Sequence, residues 1–468
     1  LEGVGEIDGM KVQTVWENAR DAVSAYTPER SAEICGLKVE DVEELARVYI
    51  EEGPVYTGCF QGQNPYLNAN YTGWLLWLVP ILTGNVGKPG AGIGAYAWFL
   101  TQYMNFNYAV IMPTDAEGNP CQGADPRTYN TAYMKEIVET GKYNGQDATV
   151  KGIWFNFMNP LGTWADVENT KEWVSKLDLV ITSEVKMSDT AKYSDIVLPA
   201  ANWYEYSDIG CYVHMSHPYM IWTDKVIEPL GECKPDFEIY KAVAEKMGYG
   251  EFFDLTAEDY IRQALDTEGW KAMGVSLDEL KEKKIIRIVP EGYVADTSAF
   301  GNENGRAYLY HEEVKRQYDA GQEIDPAKEQ CLYWEEPKYA GEHSAARTGK
   351  YPFHILSTKI RTQSHTKWSE CGYTREITPD PVAMFNPEDA AEYDIHEGDI
   401  VKLTNQTGYV VIKSAISASV PPLTIAVTRG WNTWDYIEGN FQGMMPQEFN
   451  QTSQNQAFAD VACSVEKM

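Results

Sequence analysis

The sequence predicts an α/β chain, with a parallel sheet near its middle and a β-rich region at its end. Two observations carry this reading. Residues 152–157 are a short apolar and aromatic run, residues 164–177 carry hydrophobics at helical spacing (Trp164, Val167, Trp173, Val174, Leu177), and residues 177–182 are a second apolar run. That order is strand, helix, strand. From Phe353 onward the pattern changes to short strands separated by turns. Crossovers between parallel strands are right-handed, so the loops at the strand carboxyl ends share one sheet edge, where open parallel sheets take nucleotides. Those loops are residues 158–162 and 183–190.

Length and composition bound the rest. A chain of 468 residues suggests about three domains. A hydrophobic content of 44% with 14 Trp and 30 Tyr marks it as globular. A formal net charge of -30 argues against nucleic acid and anionic membrane surfaces as partners. The cysteines at 35, 59, 121, 211, 233, 331, 371 and 463 show no zinc or iron-sulfur spacing. No apolar run reaches membrane-spanning length, since 74–82 is short and interrupted by Pro80, so direct membrane insertion is not expected. The chain begins at Leu1 without a signal peptide, which reads as a piece of a longer protein and leaves periplasm or cytoplasm open.

Taken in order, residues 39–50 form an amphipathic helix (Val42, Leu45, Ala46, Tyr49) ended by Gly53 and Pro54, and residues 55–59 form a strand. Residues 71–82 are a buried helix by their Trp74, Trp77, Leu78, Ile81 stripe. The Gly-rich stretch 83–94 is neither a Walker loop, since Pro89 follows Gly87-Lys88, nor a Rossmann fingerprint, since no strand feeds it. A helix is expected at 134–140. Residues 250–350 are charged and irregular, and the run 281–284 reads as a solvated face. Strands are expected at 353–357, 399–404, 409–413 and 423–428, with a short helix at 387–393.

Hydrolase readings lack their parts, because the chain has neither His-Glu-x-x-His nor Gly-x-Ser-x-Gly. His214 and His217 read more readily as ordinary loop histidines than as metal ligands. Glu205 with Tyr206 is either an acid-base pair or a satisfied surface carboxylate beside an aromatic residue.

Several motifs occur together: Asn159-Pro160 after one strand, Glu184 after the next, then Thr190-Ala191-x-x-x-Asp195-x-Val197-Leu198-Pro199, preceded by Thr83-Gly84-Asn85-x-Gly87-x-Pro89-Gly90-x-Gly92. Their combination resembles the C-terminal part of the molybdopterin oxidoreductases of the dimethyl sulfoxide reductase family. The resemblance covers most of the chain. It implies molybdenum or tungsten held between two molybdopterin guanine dinucleotides, with the metal ligand and any iron-sulfur cluster in a missing N-terminal part. It also implies the tail of an α/β domain at 1–83, an α/β guanine-dinucleotide-binding domain at 84–250, an irregular connection at 251–350 and a C-terminal β-barrel cap at 351–468. Residues 302–310 match a strand that relatives place before that cap.

By the same resemblance, Asn159, Pro160 and Thr190 stand near a phosphate or ribose, and Glu184 near a ribose hydroxyl or guanine edge. In the cap, Arg361, Gln363, Ser364 and His365 match a loop that contacts phosphates and pterin, Asn386 an Asn that reads guanine, and Asn450 and Gln451 an amide to the second pterin. Residues 60–64 are either a loop near the cofactor or a polar turn. Trp203, Glu205, Tyr206 and His214 are expected to line a substrate funnel. Many relatives continue there with Asn-x-Glu-Gly-Arg, whereas this chain has His214-Met215-Ser216-His217. The departure leaves two reactions open: redox conversion of a small molecule, partnered by an iron-sulfur electron-transfer subunit, or a non-redox hydratase or transhydroxylase reaction. A cofactor-binding fragment with no activity of its own is the third reading, and the chain alone is not expected to turn over substrate.

Overall fold

A computed structural model describes residues 3–59, 61–69, 72–94, 129–143, 145–210, 219–288, 291, 305–311, 314–315, 318, 325–450 and 455–468. The chain divides into two compact units, one of Leu1–Ala95, Gly292–His354 and Pro446–Ala462, the other of Tyr96–Glu291, Ile355–Met445 and Cys463–Met468.

In the second unit the predicted strand, helix, strand is present. Gly152–Asn156, Leu179–Glu184 and Ile196–Pro199 form a parallel sheet in that spatial order, with Phe155 opposite Thr182 and Thr182 opposite Val197. The crossover helix is Val167–Val174, shorter than the pattern suggested, because Trp164 is extended and Asp166 caps the helix by accepting from the Asn169 amide. Its Trp173 and Val174 pack with Phe155 and Val180 against Met134 and Ile137, the last two on the expected helix Met134–Thr140. Trp154 faces the other way and meets Tyr240 of helix Asp236–Met247 at 4.9 Å between ring centroids. Helix Asp189–Tyr193, capped by the Ser188 hydroxyl, leads into the third strand.

The C-terminal strands close into a barrel, as expected. Val382–Phe385, Thr424–Thr428, Phe353–Thr358, Ala462–Lys467, Ile400–Thr404 and Tyr409–Ile416 pair in that order, and Tyr409–Ile416 returns to pair in parallel with Val382–Phe385. Alternate residues fill it: Phe353 and Ile355, Ala383 and Phe385, Val401 and Leu403 are all buried.

Two readings are corrected. Residues 257–287 are regular: helices Ala257–Leu265, Glu268–Ala272 and Leu277–Lys283 pack Leu265, Trp270, Leu277 and Leu280 against Met220, Trp222 and Ile286 of an antiparallel sheet of Asp208–Gly210, Tyr219–Thr223 and Ile285–Arg287. The few apolar residues are diluted by charges, and capping by Thr256, Thr267 and Ser276 sets each short helix instead. The 281–284 run is solvated as read, with Lys281, Lys283 and Lys284 paired to Glu258, Glu279 and Asp224. Residues 305–310 are not a strand; there the Tyr308 carbonyl accepts from Trp74 Nε1 at 3.0 Å.

In the first unit, helices Val15–Val23, Pro28–Cys35 and Val39–Glu51 precede a parallel pair, Tyr56–Gly58 with Gly92–Gly94, joined across helix Thr72–Leu82. Asn85 ties the Gly-rich stretch down: its Oδ1 accepts from the Val55 amide and its Nδ2 donates to the Tyr49 carbonyl, each at 2.9 Å. Gly84 and Gly87 supply the positive φ, 66° and 81°, that this turn needs.

Candidate functional site

The polar centre of the second unit lies where the carboxyl ends of the parallel sheet meet two loops of the barrel, 359–371 and 429–435. Asn159, buried at the end of the first strand's loop, accepts through Oδ1 from the Thr190 amide at 3.0 Å and hydroxyl at 2.8 Å. Its Nδ2 donates to Thr366 Oγ1 at 3.3 Å, so the Asn-Pro loop, the Thr-Ala motif and the barrel loop converge on one amide. Pro160 opens a single helical turn beneath it. Lys186 adds a second tie: its ammonium donates to the Thr366 carbonyl and to Glu370 at 2.7 Å. Asp189 adds a third, its Oδ1 accepting from the amide of Thr433 at 2.9 Å and from its hydroxyl.

Along this seam several buried atoms have no partner among the described residues: both amide atoms of Gln363, Asp189 Oδ2, Arg429 Nε and Asn432 Oδ1. Buried polar atoms are nearly always paired, so a group of unpaired ones calls for a ligand or water. Backbone approaches closely at the same places. A Cβ added to Gly162 would stand 2.7 Å from Asp189 Oδ2, and one added to Gly430 would stand 3.2 Å from Gln363 Oε1.

The electrostatics are local and cationic. Among the described residues Arg429, Lys359 and Lys367 form no close ion pair, though Lys367 acts on Glu184 through space, and burial pulls the Arg429 guanidinium below its ordinary pKa. Partial burial, and then the charges of Arg429, Lys359 and Lys367, hold His365 below the usual imidazole range. Burial pushes the Glu184 carboxyl up, against the Val185 amide, the Ser188 hydroxyl and the Lys186 and Lys367 charges. Such a set suits a ligand that carries an anion, which the cations attract, and ring edges, which the unpaired amide and carboxylate can meet.

Of the residues expected from sequence, Asn159, Pro160, Glu184, Thr190, Gln363 and Ser364 lie at this seam or on its loops, and on the barrel loop Arg361 is exposed and His365 is covered on one side only. Trp203 joins them through Trp368 of that loop, 6.3 Å between ring centroids, and both rings are exposed. Glu205 is buried and spends its carboxylate on backbone, accepting from the Asn202 amide at 2.6 Å and the Leu230 amide at 2.8 Å. Tyr206 is half-buried beside it. Asn386 is used within the barrel, capping helix Pro387–Glu392 through the Glu388 amide and donating to the Val420 carbonyl at 2.8 Å. Asn450 belongs to the first unit, where its Nδ2 donates to the Tyr66 carbonyl at 3.4 Å. His214 and Gln451 lie outside the described residues.

Sequence reasoning missed Asp189, Thr366, Arg429 and Asn432. Asp189 lies inside the 183–190 loop, and Arg429-Gly430 at the end of a predicted strand was the remaining signal. Thr366 and Asn432 carried none, since lone polar residues in loops are ordinary.

Known proteins resemble this chain in sequence and in fold. Residues 72–246 match the family model of the molybdopterin oxidoreductases, and residues 353–462 that of the molydopterin dinucleotide binding domain. The chain is 26% identical over 471 residues to a Halobacterium salinarum protein provisionally named as the catalytic chain of a dimethyl sulfoxide reductase, covering 100% of this chain and 53% of that protein. It is 23% identical over 463 residues to the dimethyl sulfoxide/trimethylamine N-oxide reductase of Cereibacter sphaeroides, covering 90% of this chain and 54% of that one. The chain thus spans about half the length of these relatives. In fold it is similar to the acetylene hydratase from Pelobacter acetylenicus, with a TM-score of 0.75 at 16% identity, covering 97% of this chain and 66% of that one.

Proposed function

Because the chain belongs to the molybdopterin oxidoreductases of the dimethyl sulfoxide reductase family, we propose that it is the cofactor-closing half of a catalytic subunit that oxidises or reduces a small molecule. The cofactor would be molybdopterin guanine dinucleotide, two per molybdenum or tungsten. The observation that carries this reading is Gln363, whose buried amide has neither atom paired among the described residues, beside the close backbone approach at Gly430 and the unpaired Nε of Arg429. When bound, the cofactor supplies the two-electron chemistry, and the protein supplies binding and orientation.

The residues divide that work by their chemistry. Arg429, Lys359 and Lys367 would face the diphosphate, a fork and two point charges against an anion. Gln363 would pair with a ring edge, since an amide both donates and accepts. Asp189 Oδ2, which when ionised accepts and cannot donate, would take ring or amino N–H groups, and Glu184 a ribose hydroxyl. Trp203 and Trp368 would wall the substrate approach and exclude water, with Tyr206 further along it. Glu205 would hold that wall through the Asn202 and Leu230 amides. The named relatives act on dimethyl sulfoxide and trimethylamine N-oxide, and a small neutral oxide of that kind suits aromatic walls. The metal ligand and the electron partner would come from other parts of the enzyme.

Gln363→Leu in the intact enzyme tests this. An apolar isostere removes an unpaired buried amide, so the cofactor-free protein should gain roughly 1–2 kcal/mol in denaturant unfolding, while pterin per chain falls about fivefold. Unchanged pterin content would sink the assignment.

A further inference from the structure

Arg375 lies on helix Gly372–Ile377, just after the loop that bears Gln363. Its guanidinium is engaged on every side. Nε donates to the Ser369 carbonyl, Nη1 to the Pro379 carbonyl at 2.9 Å, and Nη2 to Asp435, while its plane lies over the Trp431 ring, 4.7 Å from the centroid. The second Asp435 oxygen accepts from the Asn432 backbone at 2.9 Å and from its Nδ2 at 3.0 Å. That same Nδ2 reaches Ser369 Oγ at 3.0 Å, and Ser369 is fully buried. One guanidinium therefore joins two segments, 363–369 and 429–435, and each carries unpaired buried atoms: Gln363 on one, Arg429 and Asn432 on the other.

A largely buried ion pair is a poor device for stability alone. The Asp435 side chain is 6% exposed and that of Arg375 28%, and well-packed apolar residues in such places commonly fold as well or better. What an apolar pair cannot do is fix direction. A planar fork with several donors sets the spacing and angle of each carbonyl and carboxylate it meets, and stacking on Trp431 fixes the plane. Loops held in this way lose no further freedom when a ligand arrives.

We propose that Arg375 is a positioning residue of the cofactor cleft: it fixes the 363–369 loop against the 429–435 turn, so that Gln363, Arg429 and Asn432 stand ready for one ligand. The proposal rests on the reading of the cleft given above. It assigns Arg375 no contact with the ligand. Lysine in its place would keep the charge toward Asp435 and lose the fork and the stacking, so charge alone does not satisfy the role.

The test uses the intact loaded enzyme with Arg375→Lys and the paired change Arg375→Met with Asp435→Asn, which removes both charges and leaves an acceptor for Asn432. Val401→Ala, a barrel-core substitution, serves as a control for lost stability. Two quantities are read: the urea midpoint of the cofactor-free protein, and the rate at which pterin is released on dilution, followed by its fluorescence after oxidation. The paired variant should keep a near-normal midpoint and release pterin about tenfold faster, and Arg375→Lys should also release it faster. Val401→Ala should lower the midpoint with little change in release. Release at the wild-type rate in the paired variant overturns the proposal, as does faster release that only tracks the fall in midpoint across all three variants. Wild-type enzyme purified with no pterin at all would overturn the reading of the cleft itself, and this proposal with it.

Discussion

Burial acts on single residues in opposite ways here, and only some of this is visible in sequence. Asn159, Glu184 and Gln363 were legible because motif context marked them before their surroundings were known. Arg429 was not, since what distinguishes it is the lack of a carboxylate neighbour, a property of the fold. His354 is a case that no motif marks. Burial, and then the charge of Arg347, lowers its pKa from 6.5 to about 4, against a backbone hydrogen bond to Ala459, and its Nε2 has no partner among the described residues. Because the folded pKa lies below the unfolded one, protonation favours unfolding. The contribution is whole above pH 6.5 and is lost as pH falls toward 4. At about 1.4 kcal/mol per pH unit, the first unit should be destabilised by roughly 2.5 kcal/mol between pH 7.5 and pH 4.5. His354→Asn keeps a donor for the backbone and removes the titration, so urea unfolding of this variant should lack that part of the pH dependence. Identical pH profiles for variant and wild type would assign the loss to other groups.

At the scale of elements, the parallel unit was legible because its strands are flanked by a crossover helix with a buried stripe, and the barrel because its strands alternate. Val382–Phe385 and Ala462–Lys467 escaped notice: the first is four residues between prolines, and the second ends in charges. The helices of 257–283 escaped because capping and a few well-placed large residues, rather than a broad apolar stripe, hold them. No sequence pattern reports how the barrel loop is tied to the sheet edge. That tie includes Lys186, whose side chain is 18% exposed and meets Glu370, 49% exposed. Burial raises the Glu370 pKa, but the hydrogen bond and charge of Lys186 outweigh it and hold the carboxyl below its ordinary range. Being partly exposed, the pair contributes at most about 1 kcal/mol. The larger effect of Lys186→Met should be local, because the Thr366 carbonyl also loses its donor. Amide hydrogen exchange should speed up within 364–371 by about tenfold while strands such as Ile400–Thr404 keep their protection. Uniform acceleration across the barrel would mean that Lys186 supports the whole domain rather than the loop.

At the scale of the whole molecule, charge sets a conflict that the site must resolve. The chain carries a formal net charge of -30, yet the proposed ligand is an anion. Long-range field follows total charge, and its reach shrinks from about 30 Å at 10 mM salt to about 8 Å at physiological strength. Arg429, Lys359 and Lys367 would act at contact distances, where salt screens less. An approaching dinucleotide at low salt therefore meets repulsion before it meets the cations. Raising salt from 10 to 150 mM should remove the first and largely spare the second. The association rate of guanosine diphosphate, used as a probe of the 468-residue chain, should then rise about two- to tenfold over that range, with a much smaller change in dissociation. Sites in basic proteins behave in the opposite sense. Replacing Lys359 and Lys367 together by Gln should leave the salt slope of association nearly intact, because it comes from the whole chain, and speed dissociation several-fold, because it comes from the site. Association that falls steadily with salt would show that the cations govern approach as well as contact, and would refute this separation of the two fields.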